Sequence, residues 1–261
     1  AALARAVWMG ERRPRGHLVA QSLAFQGGDP EAARRRYLRV TRIAVHPDCR
    51  REGIGQRLLA TMADMAAAEG VDVLAVSFGA TPALLAFWQA AGFGFLRLGT
   101  RRDAASGTHT AMLGRPLTHD GEAVCDTLAR RFAAHWPWLA ATMDGMEADL
   151  RAAVEGLLPA PAEPDPNSLC EADRRELHAF AHGSRELAVS RLPLARLAAL
   201  TPAMMQDWPQ HDRLLWERAV TEGADWDTLR LEGLVEGRRP GLKQLRSLAR
   251  VGLDRYAGNG V

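Results

Sequence analysis

Apolar residues in the first part of the chain recur with two different periods. Residues 18–25 (LVAQSLAF) and 37–45 (YLRVTRIAV) are short, largely apolar runs, and the second is rich in Val, Ile and Thr, so both are predicted to be strands. A helix is predicted to follow, because apolar residues then recur at helical spacing. The residues that define this helix are Ile54, Leu58, Leu59, Met62 and Met65, and Gly70 is expected to end it.

The same part of the chain continues with a strand, a helix and two more strands. Residues 71–78 (VDVLAVSF) form a nearly continuous apolar run, which predicts a strand buried on both faces. The segment TPALLAFWQAAGF predicts a helix with Pro82 in its first turn and Gly92 at its end. The segments GFLRLG and HTAMLG are expected to be the final strands. Strands and helices that alternate in this way predict an α/β domain over residues 1–118.

After residue 118 the strand-like runs disappear and apolar residues keep helical spacing, so residues 119–261 are predicted to be all-α. Residues 159–167 (PAPAEPDPN) indicate a proline-rich linker. Ser168 and Glu171 have the spacing of a capping box, which predicts a helix start at Ser168. Another helix is expected to begin at Thr201 and Pro202.

Charge is distributed unevenly along the 261 residues, although the net charge is only +2. Residues 1–118 carry a balance of +7, residues 119–236 are acidic, and residues 237–261 hold six basic residues against one acid. Almost every basic residue is Arg, which is explained either by a GC-rich genome or by phosphate binding through the planar guanidinium.

Composition also bears on location and completeness. No apolar run is long enough for a membrane span, and the three scattered cysteines suggest neither a disulfide framework nor a metal site, so a cytoplasmic protein is expected. The chain begins with Ala, and its first residues (AALARAVW) resemble the middle of a helix. We therefore expect a fragment of a longer protein.

The segment RIAVHPDCRREGIGQRLLA contains the clearest candidate for ligand binding. A strand that turns through a glycine-containing loop into a helix presents free backbone N–H groups, and these favour an anion such as pyrophosphate. Gly53 and Gly55 allow close backbone approach, and Arg50 and Arg51 add positive charge. The alternative is a strand-to-helix junction without a ligand. The loop is not a P-loop, because no Lys-Ser/Thr pair follows the second glycine.

The spacing Arg-x-x-Gly-x-Gly in this loop resembles the acetyl-CoA loop of the GNAT N-acetyltransferases, and FWQAAGFGF resembles a later helix and strand of that family. The resemblance implies an α/β acetyltransferase (GNAT) fold with a mixed central sheet, followed here by an all-α C-terminal domain. It also implies that the backbone of the strand before the loop binds the pantetheine arm and that the loop amides bind the pyrophosphate. The residues implied are Ile43, Ala44 and Val45 for the arm, and Arg50, Arg51, Glu52, Gly53, Ile54, Gly55 and Gln56 for the pyrophosphate.

Four segments together resemble the C-terminal part of the bacterial tRNA(Met) cytidine acetyltransferases: VAQSLAFQGGDP, RIAVHPDCRREGIG, VSFGATPALLAFWQAAGF and RDAASGTHTAM. This resemblance implies acetyl transfer from acetyl-CoA to the wobble cytidine of elongator tRNA(Met), with the helical tail binding tRNA. It also implies a helicase-like N-terminal module that uses ATP and has no counterpart in this chain. The alternatives are a protein or small-amine N-acetyltransferase, and a truncated module that binds acetyl-CoA and tRNA without turnover.

Two histidines are candidates for the general base, since His titrates in the useful range. His46 directly follows the strand implied to hold the pantetheine arm, and His109 lies in the segment SGTHTAM; each has a purely structural alternative. Asp103 is a candidate to orient a base. Ala83 and Ala90 stand where members of the family carry a Glu and an Arg near acetyl-CoA, so the resemblance does not imply those two contacts here. Trp88 stands where many members have a Tyr that protonates the leaving thiolate, and an indole cannot do this.

The C-terminal segment supplies candidates for RNA binding. Arg239, Lys243, Arg246 and Arg250 fall on one face of a predicted helix, where they would either follow phosphates or be solvated. His178 and His182 have a metal-ligand spacing, but no third ligand is near in sequence, so no metal site is predicted. Most of the seven tryptophans are expected to pack in the core.

Overall fold

A computed structural model describes residues 2–104, 106–141, 143, 145–160 and 168–258. The chain divides into two compact units. The first comprises Ala1–Trp8 and Arg13–Ala162, and the second comprises Met9–Arg12 and Glu163–Val261. The predicted boundary at residue 118 therefore lies within the first unit.

A four-stranded mixed sheet forms the centre of the first unit. In spatial order it consists of β1, β2, β4 and β3. β1 pairs with β2 in parallel, whereas β4 is antiparallel to both of its neighbours, β2 and β3. The strands are β1 (Tyr37–Val40), β2 (Val73–Gly79), β3 (Gly94–Arg102) and β4 (His109–Pro116). The three predicted strands from residue 71 onward are confirmed, as is the mixed sheet.

The helices of the first unit connect and cover these strands. They are α1 (Ala2–Trp8), α2 (Leu18–Phe25), α3 (Ile54–Ala68), α4 (Pro82–Ala90), α5 (His119–Ala141) and α6 (Ala148–Glu155). Short 3₁₀ turns occupy Pro30–Arg34 and Pro47–Cys49. Gly70 and Gly92 have positive φ angles of 70° and 82° directly after α3 and α4, as their predicted roles in ending these helices require.

Of the two strands predicted near the start of the chain, one is wrong and the other is shorter than predicted. Residues 18–25 form the helix α2, in which Val19 and Leu23, one turn apart, are both buried. This segment contains only one β-branched residue, so its composition favours a helix once its apolar side packs. The second predicted strand is shortened, because its pairing with β2 ends at Val40 and residues 41–46 belong to no ladder.

α3 was predicted correctly as a helix, but the side that packs differs from the predicted one. Its buried residues are Gly55, Leu59, Ala63 and Ala66. Leu58, Met62 and Met65, predicted to be part of the apolar face, are 51%, 41% and 59% exposed. The small residues at positions 55, 63 and 66 lie on the buried side of the helix, and the larger side chains at 58, 62 and 65 lie on its exposed side.

One hydrophobic core joins the sheet to α3, α4, α5 and α6. Phe132 and Trp136 of α5 and Leu150 and Val154 of α6 belong to the same buried cluster as Leu74 of β2. Phe95 of β3 lies 5.2 Å from Phe132 between ring centroids. The helices that follow residue 118 therefore contribute to the same core as the sheet.

The second unit is helical, as predicted for this part of the chain. It contains α7 (Glu171–His182), α8 (Leu187–Leu200), α9 (Pro202–Asp207), α10 (Gln210–Trp216), α11 (Trp226–Leu231) and α12 (Arg238–Gly258), and a π-helical turn at Glu217–Glu222. Its core includes Phe180, Trp208, Trp216 and Leu245.

The start of α7 differs from the predicted capping box. Cys170, rather than Ser168, is the N-cap, and its Sγ accepts a hydrogen bond from the amide of Asp173 at 3.4 Å. Arg196 donates to the Ser168 carbonyl at 2.9 Å, which ties this residue into the tertiary structure instead of the helix cap. The predicted linker lies mostly at residues 161–167, outside the described residues.

Candidate functional site

The turn between β1 and α3 is built by two residues with left-handed backbone. The 3₁₀ turn at Pro47–Cys49 is closed by a hydrogen bond from the Cys49 amide to the His46 carbonyl at 2.9 Å. Arg51 then has φ 66° and Gly53 has φ 75°. An Arg in this region is strained, because its Cβ crowds the backbone. These two residues turn the chain sharply into α3, so that the helix begins at Ile54.

The N-terminus of α3 has the properties of an anion-binding site. The first hydrogen bond of the helix runs from the Arg57 amide to the Gly53 carbonyl at 3.0 Å, so the amides of Ile54, Gly55 and Gln56 precede the regular helical pattern. The helix dipole places partial positive charge on these amides. Arg50 and Arg51 are exposed beside them, and Arg50 donates from Nε to the Val45 carbonyl at 3.3 Å.

The two glycines of the loop have different roles in the fold. A Cβ on Gly53 would meet only Nη1 of Arg57 at 4.0 Å, so this position needs Gly for its positive φ. Gly55 is buried, and a Cβ there would lie 3.2 Å from two ring atoms of Phe87 on α4. Gly55 therefore lets α3 approach α4. Phe87 was not among the sequence candidates, and only its place in the segment FWQAAGF pointed to it.

Beyond Val40 the parallel strands β1 and β2 separate. Val40 and Val76 are the last paired residues, and Ser77, Phe78 and Gly79 continue β2 with a partner only in β4. In the segment that follows β1, Ile43 packs against the core while Ala44 is exposed. Residues 43–45 and the far end of β2 thus leave backbone groups that no neighbouring strand pairs within the described sheet. An extended ligand arm can use such groups in the way an added strand would.

The two candidate bases lie in different settings. His46 is on the turn before α3, with its side chain 71% exposed and its Nδ1 3.6 Å from a carboxylate oxygen of Asp48. His109 begins β4 and is only 4% exposed. Its Nδ1 lies 2.9 Å from the Gly99 carbonyl oxygen, which can only accept, so Nδ1 carries the proton. Nε2 then holds a lone pair, and it is buried with no hydrogen-bond partner among the described residues.

Asp103, the candidate to orient a base, instead organises the hairpin between β3 and β4. It accepts from the amide and the hydroxyl of Ser106 at 3.0 and 3.1 Å, and its own amide donates to the Thr108 carbonyl at 2.9 Å. No contact of Asp103 with His46 or His109 is seen in the described part of the hairpin.

The residues that depart from the GNAT pattern lie on α4. Trp88 is buried, stacks on Phe78 with ring centroids 5.8 Å apart, and makes an edge contact with Phe93 at 4.9 Å. It is therefore a core residue. Ala83 and Ala90 are exposed and offer no polar group to a ligand.

The four RNA candidates lie on α12, as the sequence predicted, but they are not equivalent. Arg239 and Lys243 are exposed. Arg246 is half-buried, donates to the Arg185 carbonyl at 3.2 Å and lies over the ring of Phe180. Arg250 donates from Nε to the Ala181 carbonyl at 2.9 Å, near the end of α7. Two of the four side chains, Arg246 and Arg250, therefore bind the fold itself.

The remaining candidates belong to the packing of the two units. Trp8, Trp88, Trp136, Trp208 and Trp216 are buried, as expected for core residues. The rings of His178 and His182 are tilted by 40° relative to each other, with centroids 4.6 Å apart. Within the described ranges, no group of three or more His, Cys, Asp or Glu is arranged to hold a metal ion. No helix in that part of the chain has the length and hydropathy needed to cross a membrane.

Comparison with known proteins agrees with this geometry. The family model of an acetyltransferase (GNAT) domain matches residues 6–94, which include β1, the loop, α3, β2 and α4. The first unit is therefore an acetyltransferase domain of the GNAT class.

Most of the chain is similar in sequence to tRNA(Met) cytidine acetyltransferases. The protein with this name from Salmonella typhimurium is 45% identical over 197 residues, which cover 76% of this chain and 27% of the relative. The one from Citrobacter koseri is 54% identical over 121 residues, 46% of this chain and 18% of the relative. The one from Actinobacillus pleuropneumoniae is 34% identical over 222 residues, 81% and 35% respectively. The matched part thus spans about a fifth to a third of the length of these relatives.

Proposed function

We propose that this chain transfers an acetyl group from acetyl-CoA to the exocyclic amine of the wobble cytidine of elongator tRNA(Met), as part of a longer protein. The observation that carries the proposal is the N-terminus of α3, where the loop spacing of an acetyl-CoA site coincides with unpaired helical amides and two arginines. The relatives named above supply the class of acceptor. Their resemblance further implies a helicase-like module that uses ATP, outside these residues.

The residues present fit acetyl-CoA. The amides of Ile54, Gly55 and Gln56, with Arg50 and Arg51 beside them, would hold the pyrophosphate. The backbone of Ile43, Ala44 and Val45, which pairs with no neighbouring strand in the described sheet, would hold the pantetheine arm along the separation of β1 and β2. Bound there, acetyl-CoA supplies an activated acetyl thioester.

The protein's own contribution to the reaction is orientation and proton transfer. The amine of cytidine is conjugated with its ring, so it is a weak nucleophile and loses a proton as its nitrogen attacks. His46 or His109 would accept this proton. Backbone N–H groups at the separation of the strands would stabilise negative charge on the carbonyl oxygen. Trp88 is excluded as the acid for the leaving thiolate, since it is buried and its N–H does not ionise in the relevant range.

Two other functions predict different products. A protein or small-amine acetyltransferase would acetylate lysine peptides or polyamines without RNA. A binding module without turnover would bind acetyl-CoA and tRNA and release neither acetylated RNA nor free CoA; the exposed Ala83 and Ala90 favour this possibility. Mass spectrometry of tRNA(Met), a lysine peptide and spermidine after incubation with acetyl-CoA separates the three. Acetylated peptide or polyamine beside unmodified tRNA would contradict our proposal.

Gly53→Val tests the acetyl-CoA site directly. A β-branched residue at φ 75° must shift the turn, so we expect the affinity for acetyl-CoA, measured by calorimetry, to fall at least about tenfold. Gly16→Val is the matched control, because Gly16 has φ 80° and open space around its Cβ position. Both variants should lose similar stability, on the order of 1–2 kcal/mol. Equal acetyl-CoA affinities in the two variants would remove the loop from the site.

A further inference from the structure

The sheet of the acetyltransferase domain has an unusual charge distribution. Its four strands contain no Asp and no Glu. They contain five arginines, namely Arg39, Arg97, Arg101, Arg102 and Arg115. Any carboxylate that neutralises these cations must therefore come from an element packed against the sheet.

A bulge in β3 determines where Arg97 lies. The pairing of β3 with β4 shifts between Phe95 and Arg97, so that Arg97 lies opposite Met112. Met112 in turn lies opposite Ser77 of β2. Directly paired residues share a face of a sheet. Arg97, Met112 and Ser77 therefore form a row across three strands, on the face that also carries Arg39 through its pairing with Ala75.

Arg97 differs from the other partly buried arginine of the strands. Arg115 donates to the Ala91 carbonyl at 3.3 Å. Arg97 is also half-buried, yet it makes no hydrogen bond and no ion pair with any described residue. Burial lowers the pKa of Arg97 to about 10, since no neighbouring carboxylate offsets the loss of water around the guanidinium. Burying an unpaired cation in this way costs free energy unless an anion binds next to it.

We propose that Arg97 binds a backbone phosphate of the acceptor RNA and thereby positions the target nucleotide. This inference rests on the proposed function, and it concerns the RNA rather than acetyl-CoA. Ser77 is the first residue of β2 beyond its pairing with β1, and two strand spacings of about 4.8 Å separate it from Arg97. An arginine at this distance from the separation of the strands can hold a phosphate while the attached base enters the gap.

The chemistry of the surface favours a polyanion over a single carboxylate. The planar guanidinium binds two phosphate oxygens at once. Arg39 and Arg101 are exposed on the same sheet, whose strands contain no Asp or Glu. They would bind further phosphates of the same RNA strand. RNA supplies such a row of charges, whereas a protein acceptor with one acidic side chain would leave these cations unpaired.

The test compares Arg97→Met and Arg97→Lys with the control Arg115→Met, on the opposite face of the sheet. For Arg97→Met we expect about tenfold weaker binding of tRNA(Met) and a salt dependence reduced by about 0.7–0.9 units of slope. Its affinity for acetyl-CoA should not change, and its melting temperature should stay equal or rise, because an unpaired cation is removed. Arg97→Lys keeps the charge and should retain the slope while losing part of the affinity. Arg115→Met should bind tRNA as the wild type does.

The combination of weaker RNA binding with undiminished stability is the critical result. A lower melting temperature together with an unchanged salt slope would show that Arg97 is structural and would overturn the inference. An unchanged slope at unchanged stability would overturn it as well. If the wild-type chain does not bind tRNA in the same assay, the proposed function is contradicted. The inference about Arg97 is then contradicted as well, because it depends on that function.

Discussion

His46 and His109 show that the same side chain can be constrained to very different degrees. His109 has one fixed tautomer, because the Gly99 carbonyl accepts its Nδ1 proton, and its free nitrogen is shielded from solvent. His46 is largely exposed to solvent, and its Nδ1 lies 3.6 Å from a carboxylate oxygen of Asp48. A base needs both access to its substrate and orientation, and each histidine has only one of these in the described structure.

We expect His46→Ala to lower the rate of acetyl transfer while the affinity for acetyl-CoA stays near the wild-type value. A general base contributes about 10²–10⁴ to the rate. His119→Ala is a matched control, since His119 is also exposed. A rate within about threefold of the wild type would exclude His46 as the base. His109→Ala is then the next variant, but its melting temperature must be measured too, because loss of a buried hydrogen bond costs about 1–3 kcal/mol.

At the scale of the element, α12 combines two tasks on one face. Arg246 and Arg250 donate to carbonyls near the end of α7, where cations are favourable because of the helix dipole. Burial and the neighbouring Arg250 lower the pKa of Arg246. Lys243 and Arg239, about one and two turns earlier, are exposed. Of the four basic side chains, Arg239 and Lys243 are therefore the ones most available to contact phosphates.

Substitutions along α12 should separate these tasks. We expect Arg250→Gln to lower the free energy of unfolding by about 1–2 kcal/mol, because the Ala181 carbonyl loses a charged donor. Lys243→Gln should change the free energy of unfolding by no more than about 0.5 kcal/mol.

If α12 binds RNA, Arg239→Gln and Lys243→Gln should each reduce the salt slope of tRNA binding by up to about one unit. Filter binding across a salt series gives the answer, and an unaltered slope would mean that this face is only solvated.

At the scale of the whole molecule, the acetyltransferase domain depends on helices that follow its last strand. α5 contributes Phe132 and Trp136 to the core of the sheet, and Trp136 also donates from Nε1 to Glu155 of α6 at 3.1 Å. α6 is thus held to α5 by a hydrogen bond as well as by packing. The change from strand-like to helical pattern at residue 118 is a change of secondary structure within one domain.

A truncation experiment checks this boundary. Residues 1–118 alone would expose Phe95 and the rest of the face that α5 covers, so we expect this fragment to aggregate or to melt without cooperativity. Residues 1–160 retain α5 and α6 and should melt cooperatively. Circular dichroism melts and size-exclusion chromatography of both fragments decide the matter. A cooperative transition in the shorter fragment would restore the boundary at residue 118.

Several features followed from the sequence alone, and all of them depend on local chemistry. The buried strand β2, the helices α3 and α4, and the ends of these helices at Gly70 and Gly92 were predicted because a few neighbouring residues determine each. The loop with its glycine spacing was identified for the same reason, since a turn into a helix N-terminus is a local structure. Its assignment to acetyl-CoA stays a prediction until binding is measured.

Only the tertiary structure decided the remaining features, because each depends on residues far apart in sequence. Residues 18–25 are helical and Met62 is exposed because of what packs against those segments. Arg246 and Arg250 bind carbonyls more than 60 residues away, whereas Arg97 finds no partner in the described structure. A sequence pattern shows that a residue is charged or apolar, but only the folded chain determines which partner neutralises or covers it.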